Sequence, residues 1–60
     1  MFTFRLILED GTPADLPVFV SSVPNWNVGD TAIIRPGLAY RIVEVRAADD
    51  VSGEWVVEAV

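Results

Sequence analysis

Residues 26–45 read WNVGDTAIIRPGLAYRIVEV, and this stretch decides how the chain folds. It holds two apolar runs, each preceded by a turn signal. Before the first run, Gly29 can take a positive φ without strain and the Asp30 side chain can accept local backbone N–H groups. Before the second, Pro36 presets φ at the second position of a type II turn and Gly37 supplies the positive φ at the third. The stretch therefore predicts a structural hairpin with a second loop of four or five residues.

Apolar runs separated by turn-rich clusters recur about every ten residues along the rest of the chain. In the first run, FTFRLILE, alternate apolar residues fall on one face, which is typical of a strand with one buried side. Pro17 cannot donate to a β-ladder, so its strand starts late or lies at a sheet edge. We predict antiparallel strands near residues 2–9, 16–22, 31–35, 40–47 and 54–60. The expected core face comprises Phe2, Phe4, Leu6, Leu8, Leu16, Val18, Val20, Ile34, Val43, Trp55 and Val57.

A long first loop, a Gly-Asp turn and two tight hairpins follow one another in this order. The order resembles that of the SH3-like small barrel. The resemblance implies an all-β fold, a five-stranded antiparallel small barrel, forming one domain over residues 1–60. An OB-like barrel is the alternative fold, but it often has a helix between its third and fourth strands, and RPGLA at 35–39 leaves no room for one.

The composition excludes several kinds of chemistry. The chain has no cysteine and no histidine, which rules out disulfides, thiolate chemistry, zinc fingers and imidazole catalysis. Its serines have no histidine or lysine to activate them. DDVSGE at 49–54 resembles part of a calcium loop but lacks the twelve-residue frame, and we interpret it as a hairpin turn with Gly53 at the tight position. We expect no enzyme, cofactor, metal site or small-molecule substrate, and a carboxylate- or metal-dependent enzyme is the weakest alternative.

The charge is unfavourable for binding polyanions. The net charge is −5, lysine is absent and the only basic side chains are four arginines. We expect no nucleic-acid binding, although a nucleic-acid-binding barrel remains the alternative function. No apolar run approaches the ~20 residues of a membrane span, and we expect a cytoplasmic protein. Lysine avoidance is typical of a GC-rich coding sequence and favours a bacterial source.

Several apolar residues alternate away from the expected core face. A contiguous exposed apolar patch usually marks an interface, so we predict a protein that associates with itself or with a protein partner. Trp26 is expected to cover one end of the barrel, because a large apolar side chain usually finds cover. The predicted interface comprises Ile7, Phe19, Ile33, Tyr40 and Ile42, flanked by Arg5, Arg41 and Arg46.

Overall fold

The computed structural model describes residues 1–60 and contains five β-strands and no helix. The strands form one sheet in the order β2-β1-β5-β4-β3, curled into a half-barrel. The all-β, five-stranded prediction is thus confirmed, whereas the finer SH3-like assignment is not. No element is a helix that could cross a membrane. The strands are β1 Phe2–Leu8, β2 Pro13–Ser21, β3 Thr31–Arg35, β4 Leu38–Arg46 and β5 Gly53–Ala59.

The sheet is mixed, and the prediction that every strand pair is antiparallel is wrong at one pair. β1 and β5 run parallel, with Leu6 opposite Trp55, while the other three pairs are antiparallel. The difference arises because residues 22–30 do not return in a hairpin. They cross from β2 at one edge of the sheet to β3 at the opposite edge. Of the two alternatives predicted for the strand containing Pro17, the edge position is confirmed and the late start is wrong, since β2 begins at Pro13.

The core fills the concave, inner face of the sheet. Phe4, Leu6, Trp55 and Val57 are buried there, as predicted from the alternation in β1 and β5. Phe4 stacks on Trp55 with ring centroids 4.4 Å apart. Trp26, in the crossing segment, packs against this cluster, so the predicted cover is confirmed.

The first half of β4 faces the opposite way from the prediction. Ile42 is 1% exposed and Tyr40 is also buried, whereas Val43 is 37% exposed. Ile42 lies opposite Val57 but Glu44 lies opposite Val56, so Val43 is an extra residue in a β-bulge. A bulge shifts the alternation by one residue. The assignment of Tyr40 and Ile42 to an exposed face, and of Val43 to the core, is therefore wrong.

A second break in alternation occurs in β2. Phe19 lies opposite Phe4, half-buried against the core, and Val18 lies opposite Arg5 with its side chain exposed. The register shifts beyond Arg5, in the part of β2 that contains Pro17. The irregularity reverses the facing of the residues after Pro17. The core positions predicted for Val18 and Val20, which are both exposed, and the exposed position predicted for Phe19 are therefore wrong.

The two turns of the opening stretch form as predicted in backbone conformation. Gly29 and Gly37 have φ of +95° and +86°, and an Asp30 carboxylate oxygen accepts the Asn27 N–H at 2.8 Å. The second loop is shorter than predicted, because only Pro36 and Gly37 separate β3 from β4. A register shift just before the turn, between Ile33 and Arg35, accompanies this short connection.

Gly53 is not in the tight turn predicted for it. It begins β5, is buried, and lies opposite Phe4 in the parallel pair. A Cβ at this position would lie 3.2 Å from Cδ1 of Phe4. Gly53 therefore packs closely against the Phe4 ring, which would have to shift by a few tenths of an ångström to admit a side chain here, and its φ is not positive.

Candidate functional site: the outer face and the β3 edge

The convex, outer face carries a network of five charged side chains. Arg5 donates from Nε to Glu54 at 2.9 Å and from both terminal nitrogens to Asp50 at 2.7 and 3.0 Å. Arg46 donates to Glu44 at 2.6 Å and lies 3.9 Å from Glu54. These hydrogen bonds lower the pKa of Asp50 and Glu44 and raise the pKa of Arg5 and Arg46. Positive and negative groups thus alternate across β4, β5 and β1.

The remaining two arginines are also engaged. Arg41 donates to Glu58 at 3.1 Å and Arg35 to Asp15 at 3.1 Å. All four arginines of the chain therefore form ion pairs with carboxylates. Arg5, Arg41 and Arg46 lie on the outer face and are paired with neighbouring acids; that they flank an interface stays a prediction.

The predicted apolar patch is divided by this charge network. Ile7 is half-buried and lies opposite Val56, which is buried although it belongs to the outer face. Of the apolar residues predicted to form the interface, only Ile33 is widely exposed, at 73%; Val60, which follows β5, is 71% exposed. The patch is therefore much smaller than the sequence predicted, and it lies towards β3.

The members of the predicted interface that face inwards have structural roles. Ile42 and Tyr40 belong to the core cluster, and Phe19 packs against it. The Tyr40 hydroxyl accepts the Asp15 N–H at 3.1 Å, linking β4 to the start of β2. Together with the Arg35–Asp15 ion pair, this contact brings the two edges of the sheet towards each other at one end of the half-barrel.

Ile33 lies at the end of a short apolar row on the outer face. It is opposite Ala39 in β4, and the Ala39 carbonyl accepts the Val60 N–H at 3.0 Å. The row thus comprises Ile33, Ala39 and Val60. Beside it lies a polar row in which Thr31 is opposite Arg41 and Arg41 is opposite Glu58. Ile33 is consequently the exposed apolar side chain on the edge strand itself.

The backbone of β3 has open hydrogen-bonding groups. The Asp30 carbonyl accepts the Ile42 N–H at 2.9 Å, so it points towards β4. All peptide bonds are trans, and the Thr31 N–H on the same peptide therefore points away from β4. Since directions alternate along a strand, the N–H and C=O groups of both Thr31 and Ile33 face the side where the sheet has no further strand.

The two edges of the sheet differ in how they are protected. β2, at one edge, contains Pro13 and Pro17, which have no N–H to donate. β3, at the other edge, contains no proline, and its one charged residue, Arg35, is its last residue and is paired with Asp15. Prolines and charged residues are the usual means of preventing another strand from adding to an edge. Over residues 31–33 the β3 edge has neither a proline nor a charged residue, and it is thus the less protected of the two edges.

Trp26, Trp55 and Phe19 form an aromatic cluster at the cover over the core. The Trp26 ring lies 5.3 Å from Trp55 and 5.7 Å from Phe19, and its Nε1 donates to the Ser21 hydroxyl at 3.0 Å. The indole N–H of Trp55 is buried with no acceptor in contact. These rings fill the concave side with one another, and their polar groups do not converge on a common point. The cover is therefore a packing feature of the fold.

No family model matches this chain, and no curated protein or solved structure matches it. The function is accordingly inferred from the geometry of the chain itself.

Proposed function

We propose that the protein works by association and that a partner strand adds to the open edge of β3. One observation carries this proposal: Ile33, 73% exposed, lies on an edge strand without proline, where the backbone groups of Thr31 and Ile33 point outwards. In strand addition, main-chain hydrogen bonds give affinity, and side chains beside them give specificity. The proposed interface keeps Ile33 from the sequence prediction, adds Thr31, and omits Tyr40 and Ile42, which are core residues.

The expected affinity is modest. Full burial of an isoleucine side chain contributes roughly 1.5–3 kcal/mol, so burying the exposed three quarters of Ile33 contributes about 1–2 kcal/mol. Each backbone hydrogen bond formed by Thr31 or Ile33 adds about 0.5–1.5 kcal/mol net. A contact along one five-residue strand buries less than the ~1,200 Å² of a standard interface, which is typical of weak or transient complexes.

Nucleic-acid binding has less support than association. Phosphate recognition needs cationic groups that can exchange their counterions for the polyanion. Here each of the four arginines is already paired with a carboxylate, and the chain carries a net charge of −5. Two further predictions from the sequence remain predictions: that the protein lacks catalytic activity, and that it is cytoplasmic.

The proposal is tested by sedimentation velocity of the fluorescently labelled protein. The sedimentation coefficient is measured in buffer and in an extract of the cells that make the protein. The test variant is Ile33→Lys, which places a charge on the open edge, and the matched control is Val20→Lys, at a half-exposed site on the proline-containing edge. In at least one of the two media, we expect the wild type and the Val20→Lys control to sediment faster than a monomer. The Ile33→Lys variant should sediment as a monomer in both. A wild type that is monomeric in both media, or an Ile33→Lys variant that still associates, would contradict the proposal.

A further inference from the structure

We infer that the strand added to β3 is β3 of a second copy of this chain, in an antiparallel pair across a two-fold axis at Ala32. The product is a dimer with one continuous ten-stranded sheet. This inference rests on the proposed function and names its partner.

The register follows from which backbone groups are open. Thr31 and Ile33 direct their N–H and C=O groups outwards, and Ala32 between them directs its groups towards Tyr40 in β4. With the axis at Ala32, Thr31 of each copy lies opposite Ile33 of the other, and both residues exchange hydrogen bonds, giving four in all. With the axis at Ile33, only two hydrogen bonds would form between the two Ile33 residues. Further hydrogen bonds would have to come from Arg35, which lies opposite Leu38 where the hairpin closes.

The residue on the axis suits the close approach that this register requires. Ala32 would face Ala32 of the second copy as a non-hydrogen-bonded pair, the type in which the two Cα atoms come closest, at about 4.5 Å. Alanine is small enough for that distance. The Arg35–Asp15 ion pair, which bridges the two sheet edges at one end, lies outside the bonded segment, so the dimer needs no break in it.

The two unlike edges make the assembly stop at two copies. A strand that adds head to tail, β3 of one copy on β2 of the next, meets Pro13 and Pro17, which cannot donate. Pairing β3 with β3 uses the open edge of both copies and leaves only the proline-containing β2 edges outside. An interface that a two-fold axis closes in this way cannot extend into a filament.

Cysteine cross-linking tests the register, since the natural chain has no cysteine. The variants are Thr31→Cys and Ile33→Cys, oxidised alone and as an equimolar mixture, with Val20→Cys on β2 as the control. Hydrogen-bonded antiparallel residues have Cα atoms about 5.5 Å apart, within the range of a disulfide. We expect the mixed Thr31→Cys–Ile33→Cys disulfide to exceed either homodimeric product at least fivefold by mass spectrometry, with no cross-link of the control above background.

Sedimentation equilibrium of the uncross-linked wild type in buffer accompanies this experiment. We expect a monomer–dimer equilibrium without larger species, which shifts towards dimer as salt screens the −5 charge of each copy. Predominant Ile33→Cys homodimers would overturn the register, and trimers or larger species would overturn the closure. A wild type that is monomeric in buffer but associates in extract overturns the second copy as partner and leaves the proposed function standing. A wild type that is monomeric in buffer and in extract overturns the proposed function and the β3–β3 dimer together.

Discussion

Replacing Ile42 or its neighbour Val43 by aspartate should give opposite outcomes, because Ile42 faces the core and Val43, the extra residue of the β4 bulge, faces solvent. Ile42 is 1% exposed and packs in the core, whereas Val43 is 37% exposed. Truncating a buried isoleucine to alanine costs about 2–5 kcal/mol, and an unpaired buried carboxylate costs more. A chain of this length is stabilised by roughly 3–9 kcal/mol in total. Ile42→Asp should therefore be unfolded at neutral pH.

Val43→Asp should remain folded. Its side chain is already in contact with water, so the substitution removes only part of the ~1.5–3 kcal/mol that full burial of a valine contributes. We expect a loss of about 1 kcal/mol. Far-UV circular dichroism distinguishes folded from unfolded variants, and urea titration followed by tryptophan fluorescence measures the difference in unfolding free energy. A folded Ile42→Asp together with an unfolded Val43→Asp would refute the bulge and the facing of β4 derived from it.

Three further predictions concern the cover, the close packing and the ion pairs. Trp26→Ala should lower the unfolding free energy in urea by about 2–3 kcal/mol, less than a fully buried tryptophan, because this ring is half-buried. Gly53→Ala should cost about 1–2 kcal/mol, since its Cβ would lie 3.2 Å from Phe4, and thermal melts against wild type measure this. Arg5 lowers the pKa of Asp50 below its ordinary 3.8, so this pair stabilises the fold above that pH and is lost as pH falls through the lowered value. The urea concentration at the unfolding midpoint should therefore decrease as the pH is lowered below about 4, and this decrease should be less steep for Arg5→Gln.

The strands and turns were predictable because local pattern determines them. In β1 and β5 the residues alternate between the two faces without a break, with Phe4, Leu6, Trp55 and Val57 inside, and the turn glycines have a backbone conformation that few other residues adopt. The alternation fails where a strand contains an extra residue. At Val43 and near Pro17, a bulge or irregularity reverses the facing, and a period-2 pattern carried across it assigns the wrong residues to the core.

The candidate site was predictable only in part. Ile33 was correctly placed on the exposed face, because β3 keeps its alternation from Thr31 to Ile33. Ile42 was misplaced, although the sequence held a signal: Arg41 beside it is a poor core residue, and placing Arg41 outwards puts Ile42 inwards. That β3 lies at an edge depends on the order of strands, and no local pattern shows that residues 22–30 cross to the far side of the sheet.

Amide hydrogen exchange of Thr31 and Ile33, measured as a function of protein concentration, tests association through the β3 edge most directly. Their N–H groups point to solvent in the single chain and become hydrogen-bonded when a second β3 adds. We predict that exchange at both residues slows as concentration rises, while exchange at Val18 and Val20 in the opposite edge strand stays constant. Rates at Thr31 and Ile33 that do not change with concentration, under conditions where the protein associates, would contradict pairing at this edge.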